Sequence, residues 1–557
     1  MTIKTVRNLR RVSQVLFFLL FFWLILKTNF NVNFSSSDIN NIALPYPVSI
    51  FLQIDPLVGL TNILANGGLF EGLIWSLIIL IPVIFIGRFF CGWICPLGSL
   101  NHWVSEIGSE RSSRKGAARI ESNRYKKYQR IKYYILFFLL AAALFGTLQI
   151  GLFDPLALLA RSIGTVVLPT IQTSALAVVN WAKSFGVPAI GNSAQGIYDL
   201  ISPFLLNFRQ AHFHTIFSIG LFFVIIIILN RIYTRFWCRG ICPLGALLGL
   251  FSRFAILGLE KNERACTHCN KCLLHCQGAD NPDIGQHWRQ PECHLCLNCQ
   301  AGCPESALQF RFFPAQNESK ANPVGIQSID ISRRKTMASV AGGIALYPLL
   351  RSGDDFEINP YSRLIRPPAS APESDFLARC IRCGQCMRVC PNNALHPTLM
   401  ESGLEGIWSP ILIPRIGYCE PTCILCSEVC PTGAIMKMTV KEKVGDKDNP
   451  PIRIGTAFID KGRCLPHAMA RPCIVCEEWC PTSPKAIYLS EQKILDRNGN
   501  VVMVKQPQVD PNACTGCGAC EYACPVVNEP AIYVMSVGES RSAYNQILLQ
   551  RKGIKRN

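Results

Sequence analysis

The sequence is short of acid. It has 37 Asp and Glu against 55 Lys and Arg, a formal charge of +18 over 557 residues. An excess of that size raises nucleic acid as a partner, but no recognition module accompanies it, and that class is set aside. Histidine is scarce too, nine in all. His212 and His214 stand two apart at the start of one apolar run. That is a poor arrangement for paired axial ligands, and no haem is expected.

Cysteine is what the chain has in excess. All 28 fall into short, repeated spacings. Disulfides need an oxidising compartment and would not demand repeated C-x2-C-x2-C-x3-C runs. Zinc sites favour paired C-x2-C knuckles, often with His, and do not call for a fourth Cys three residues on. Cluster ligation wants that pattern, because soft thiolates from one tight loop cap three corners of an iron–sulfur cubane. The chain reads as an electron carrier built on [4Fe-4S] clusters.

A hydrophobic fraction of 49% fits a chain that is part membrane and part soluble. Four apolar runs read as transmembrane helices: Val12–Phe30, Gly72–Phe90, Tyr133–Phe153 and Phe213–Asn230. A span takes about 20 such residues, and the second and fourth runs are short. Lys4, Arg7, Arg10 and Arg11 before the first run place the N-terminus in the cytoplasm. Nine Lys or Arg between Arg111 and Lys132, and Arg231, Arg235 and Arg239 after the fourth run, agree. The region is internally duplicated. Asp55-Pro56-Leu57 leads to Arg88-Phe89-Phe90-Cys91 and Cys95-Pro96-Leu97-Gly98; Asp154-Pro155-Leu156 leads to Arg235-Phe236-Trp237-Cys238 and Cys242-Pro243-Leu244-Gly245. The second half has the longer outer stretch, Leu156–Ala211. Cys at i and i+4 share a helix face, so Cys91, Cys95, Cys238 and Cys242 together are a candidate site for one additional cluster.

Two cysteine-rich modules follow. In the first, Cys266, Cys269, Cys272 and Cys276 and then Cys293, Cys296, Cys299 and Cys303 each form C-x2-C-x2-C-x3-C. In two-cluster ferredoxins the fourth Cys of one run serves the other cluster. The expected sets are Cys266, Cys269, Cys272 with Cys303, and Cys293, Cys296, Cys299 with Cys276. The second module has four runs: Cys380, Cys383, Cys386, Cys390; Cys419, Cys423, Cys426, Cys430; Cys464, Cys473, Cys476, Cys480; and Cys514, Cys517, Cys520, Cys524. The second opens with x3 and the third with x8. Sixteen thiolates give four cubanes, six with the first module. A nested order, first run with fourth and second with third, is expected. The tails Ala434–Met438 and Ala531–Met535 read as short strands.

Between the modules, Arg333 and Arg334 precede a mildly apolar stretch, Ala338–Leu350. A twin arginine so placed marks the route that exports folded proteins. A domain loaded with iron inside the cell would need that route, so residues after about 351 are expected in the periplasm. The expected fold is multidomain: an α-helical membrane bundle of four transmembrane helices, with a fifth open at the twin-arginine segment, plus α+β ferredoxin-like modules, one two-cluster and one four-cluster. The expected domains are 1–255 (membrane), 256–315 (two clusters), 316–375 (linker and internal signal), 376–540 (four clusters) and 541–557 (tail).

Residues 1 to about 310 resemble the NapH-type membrane ferredoxins in their four spans, two C-x3-C-P motifs and two cubane runs. Residues from about 330 to 540 resemble the NapG/MauM-type ferredoxins in their twin-arginine leader and four runs. The resemblance implies a natural fusion of a quinol dehydrogenase component with its ferredoxin, in the bacterial inner membrane. It would pass electrons from quinol to a periplasmic reductase, such as nitrate reductase, or its cytochrome subunit. Asp55 and Asp154 are then candidate proton acceptors for quinol, since acids at membrane depth are functional suspects. Arg209, His212 and His214 sit near the same face. The membrane half also resembles NosR-type proteins, which leaves a sensing or maturation role as an alternative, as is a conduit facing the cytoplasm. No flavin-attachment domain precedes the spans, which ranks the NosR-type reading second.

Overall fold

The computed structural model describes residues 3–28, 44–68, 71–106, 116–186, 188–205, 212–213, 215–262, 264–278, 289–313, 331–351, 361–446, 449–495 and 499–546. Arg209 and His214 lie outside them. The chain divides into two compact units, each made of three stretches. Met1–Ile25, Ser49–Ile163 and Phe217–Leu349 form the first; Leu26–Val48, Gly164–Ile216 and Leu350–Asn557 form the second.

The first unit carries the internal repeat, which proves to be a repeat of helix starts. Four helices open on proline: Pro56–Asn66, Pro96–Glu106, Pro155–Arg161 and Pro243–Ser252. Proline suits a first helical position, where an N–H would lack a helical partner anyway. The preceding residue supplies the cap. Asp55 Oδ1 accepts from the N–H groups of Leu57 (2.8 Å) and Val58 (3.4 Å), and Asp154 Oδ2 from those of Leu156 (3.0 Å) and Ala157 (2.8 Å). Cys95 Sγ and Cys242 Sγ take the same place on the other two, accepting from Gly98 N–H (3.4 Å) and Gly245 N–H (3.2 Å). An antiparallel pair, Leu257–Lys261 with Leu308–Phe312, closes the two-cluster module.

Helices stand at all four expected spans, yet three are shorter than their apolar runs. Ile3–Lys27 has 25 residues, whereas Leu77–Ile86, Ile131–Leu144 and Ile216–Ile232 have 10, 14 and 17. Among the described residues only Thr5–Lys27 and Pro155–Ser184 are long and apolar enough to cross a membrane alone. The second of these falls in the stretch expected to lie outside. An apolar run counts side chains, but a helix ends where its backbone ladder ends. Gly87 (φ 106°) closes one, and Gly146 (φ 79°) turns the chain just after another, in conformations that glycine accepts most readily.

In the second unit Leu168–Ser184 and Pro188–Leu205 form a helical hairpin that turns near Gly186 (φ 69°). The four-run module adds three antiparallel strand pairs: Leu395–Pro397 with Pro410–Leu412, Thr456–Ile459 with Ile532–Met535, and Ile487–Leu495 with Val501–Val509. One expected strand tail is therefore a strand; the other makes only an isolated bridge, Ile435 to Ser370. Phe376, Leu377, Met387, Leu425 and Val429 form the core, joined by Val48 and Phe213 from the earlier stretches. Beside it Glu373 binds two arginines, Arg366 Nη2 at 2.5 Å and Arg541 Nη1 at 2.7 Å. Burial alone would raise this carboxyl, but the two guanidinium groups overcome it and hold the Glu373 pKa at about 2.

Candidate metal centres

All 28 cysteines are free thiols, and the fold gathers 24 of them in fours. Cys380, Cys383 and Cys386 line one cavity with Cys430. Cys419, Cys423 and Cys426 line another with Cys390. Cys464, Cys473 and Cys476 line a third with Cys524, and Cys514, Cys517 and Cys520 lie within electrostatic range of Cys480. The first run thus pairs with the second, and the third with the fourth. This corrects the nested order: each run trades its last cysteine with its sequence neighbour, because the chain from Cys390 returns at once through the strand pair 395–412. A hydrogen bond joins the two halves, Cys419 N–H to the Cys517 carbonyl at 2.8 Å. Tyr418, Trp479 and Tyr522 cluster at the same junction, with ring centroids 5.4 to 6.0 Å apart.

In the first unit Cys266, Cys269, Cys272 and Cys303 line one cavity, together as expected. Cys91, Cys95, Cys238 and Cys242 also share one, closed by Arg88, Pro155 and the Leu-Gly pairs Leu97-Gly98 and Leu244-Gly245. Two cysteines from each half of the repeat meet there. Asn101 Nδ2 donates to Cys238 Sγ at 3.5 Å. Gly98 is required by space, since a Cβ there would lie 2.8 Å from the Cys91 carbonyl oxygen; one on Gly245 would press on Arg88 Nη2 at 2.8 Å.

The loops explain why these spacings recur. In all four regular runs the residues on either side of the second cysteine have positive φ: His268 and Asn270, Leu295 and Leu297, Arg382 and Gly384, Gly516 and Gly518. Alternation of this kind turns successive N–H groups toward one concavity, an anion-binding nest. The runs that open with x3 and x8 lack the pair, with Ile424 at φ −118° and Ile474 at φ −122°.

Five of these cavities carry all four thiols of a set on their walls. Among the described residues no three His, Cys, Asp or Glu side chains converge closely enough to hold a single metal ion. Thiols spread around a space suit a polynuclear cluster held at its corners, and not a tetrahedral zinc ion. Burial pushes the Cys423, Cys476 and Cys517 thiols up to about 12 and that of Cys272 to about 11. Binding of iron at these sulfurs must therefore displace protons.

Asp55 and Asp154 are fully buried. Besides capping their helices, the two carboxyl groups meet each other across the repeat. Two carboxylates in contact cannot both ionise readily, so such a pair retains a proton. His212 is exposed, and its carbonyl accepts from Asn393 Nδ2 at 2.8 Å.

Family models described as 4Fe-4S binding domains match residues 69–115 and 215–258, residues 377–396 and residues 506–530. A ferredoxin-type protein of methylamine utilisation, MauM of Paracoccus denitrificans, is 34% identical over 222 residues, 37% of this chain and 88% of that protein. The ferredoxin-type protein NapG of Escherichia coli is 37% identical over 174 residues, 31% of this chain and 70% of its own. The chain belongs to the MauM/NapG ferredoxin-type family. YccM of Escherichia coli, assigned by name to electron transport, is 23% identical over 290 residues, 51% of this chain and 69% of that one. No solved structure matches. As a MauM/NapG-type protein the chain binds [4Fe-4S] clusters and transfers electrons.

Sequence reasoning missed Lys443. Its buried ammonium donates to Cys419 Sγ (3.2 Å) and to the carbonyls of Glu420 (2.7 Å) and Cys423 (2.6 Å). The helix that carries it, Val440–Val444, starts on a capping box of Thr439 and Glu442. That T-x-x-E pattern was the available signal.

Proposed function

We propose that the chain is a quinol-oxidising electron conduit of the bacterial inner membrane, a fusion of a NapH-type membrane ferredoxin with a MauM/NapG-type ferredoxin. It holds seven [4Fe-4S] clusters: two in the module 256–315, four in the module 376–540, and one on Cys91, Cys95, Cys238 and Cys242. The observation that carries the seventh is that the two halves of the repeat bring two cysteines each to one cavity. Those four are also the only cysteines within residues 69–115 and 215–258, which match a 4Fe-4S binding model. Bound clusters supply one-electron carriers. The chain's own part is to fix their ligands, exclude water from the buried thiols and take up quinol protons at Asp55 and Asp154. The acceptor is a periplasmic reductase, nitrate reductase being the one suggested by the NapG relationship.

Contacts within each unit support the expected sidedness. In the first, the two-cluster module is tied to segments whose charge places them inside. Arg10 reaches Gln277 and Asn298 at 3.4 Å, Arg88 donates to the Pro291 carbonyl at 2.6 Å, and Arg239 to the carbonyls of Cys276 and Gln277 at 2.8 Å. In the second, the four-run module packs on segments placed outside. Thr215 Oγ1 donates to the Pro397 carbonyl at 2.9 Å, the Phe213 and His396 rings meet edge to face with centroids 5.7 Å apart, and Val48 enters the core.

The test is anaerobic redox titration of the purified, metal-replete protein, followed by addition of a menaquinol analogue. Reduction of the clusters by the quinol is expected. Clusters that dithionite reduces but quinol does not would remove the quinol dehydrogenase reading and leave a sensing or maturation role.

A further inference from the structure

The twin-arginine segment is one continuous helix, Arg333–Arg351, of 19 residues. At 1.5 Å per residue it is about 28 Å long, close to the thickness of a bilayer core. Three basic residues, Arg333, Arg334 and Lys335, open it, and no charge follows until Arg351. Its composition is too mild for it to stand out as a span, and the structure shows what it leans on. The Ser332 N–H donates to the Tyr134 hydroxyl at 3.1 Å. Gly343 packs directly on Phe138 and Ala141: a Cβ there would lie 2.2 Å from the Phe138 carbonyl oxygen and 2.9 Å from the Ala141 Cβ. The rings of Tyr347 and Phe145 are 6.1 Å apart.

Residue numbers rise together in these contacts, 332 with 134, 343 with 138 and 141, 347 with 145. The helix therefore runs alongside Ile131–Leu144 in the same direction. Both begin at basic residues, which keep their starts on one side of a membrane. Buried Gly343 and the half-buried positions 332, 336, 339, 340, 342, 346 and 350 form one stripe toward the neighbour, at the 3.6-residue period of a helix face. Met337 (72% exposed), Ile344 (42%) and Leu349 (75%) point away from it. Small residues at the contact and apolar ones outside are what a helix packed within a bilayer requires.

We propose that Arg333–Arg351 crosses the membrane beside Ile131–Leu144 and stays in the mature chain as the permanent link between the two cysteine-rich modules, instead of being cut away as a signal. This rests on the export reading above. The test uses the full chain with different epitopes at its N- and C-termini. Both epitopes are expected on one polypeptide of 62.0 kDa plus tags, with the C-terminal epitope alone digested when protease is added to intact spheroplasts. A photo-crosslinking residue in place of Phe145 should couple to the peptide containing Tyr347, and Gly343→Leu should abolish that product. Separation of the epitopes onto two polypeptides, with the C-terminal one still digested, overturns the permanent link and leaves export standing. An intact chain whose C-terminal epitope is protected overturns the crossing and the export reading together. An intact, exported chain without the crosslink overturns the pairing with Ile131–Leu144.

Discussion

Double substitutions separate the two possible cysteine orders in the four-run module. In the structure Cys380 and Cys430 line the same cavity, while Cys524 belongs with Cys464, Cys473 and Cys476. A cubane contains roughly four irons and leaves when a corner is lost. Cys380→Ala and Cys430→Ala should each remove roughly four irons, and the double variant no more than either alone. Cys380→Ala with Cys524→Ala should remove roughly eight. A nested order gives the reverse, since Cys380 and Cys524 would then share one cluster and Cys380 and Cys430 would not. Iron and acid-labile sulfide per chain, measured anaerobically, read the count, and spin quantitation of the reduced protein gives an independent check. Because both doubles remove two thiols in or against the same core cluster, general loss of folding would lower both alike. Eight irons lost from the 380/430 double and four from the 380/524 double would refute the grouping.

Two further outcomes follow from packing and charge. The Glu373 carboxyl sits near 2 in the folded protein against an ordinary 4.5, which corresponds to about 3 kcal/mol of stability. That contribution is present above pH 4.5 and is lost as the pH falls through about 2. Glu373→Gln should lower the denaturation midpoint of the second unit at neutral pH and flatten its acid dependence over that window; an unchanged acid profile would contradict the assignment. Gly98→Ala forces a Cβ to 2.8 Å from a backbone oxygen beside Cys91, at a cost of about 1 to 3 kcal/mol. It should deplete roughly four irons from the membrane half. Gly196→Ala, with nothing within 4 Å, should leave the iron content unchanged.

The cysteine spacings disclosed the chemistry because a cluster needs its ligands on one tight loop, and that demand is local. The Asp-Pro-Leu and Cys-Pro-Leu-Gly repeats were legible for the same reason: a cap and a first-turn proline are sequence neighbours. Which run shares with which was not legible. The exchange of Cys390 and Cys430 depends on how the strand pair 395–412 folds back, which spacing does not encode. Helix lengths in the first unit were misjudged where Gly87 and Gly146 stop a ladder inside or beside an apolar run. The contact of Asp55 with Asp154 needs residues 99 positions apart to meet, and only the repeat hinted at it.

At His268, Asn270, Leu295, Leu297 and Arg382 the backbone is left-handed without a glycine to ease it, a strain of about 1 kcal/mol or more at each. A chain made during iron starvation would bear this cost with nothing on the sulfurs to offset it. Occupancy and folding are then one equilibrium, and iron supply sets how much of the protein exists in usable form.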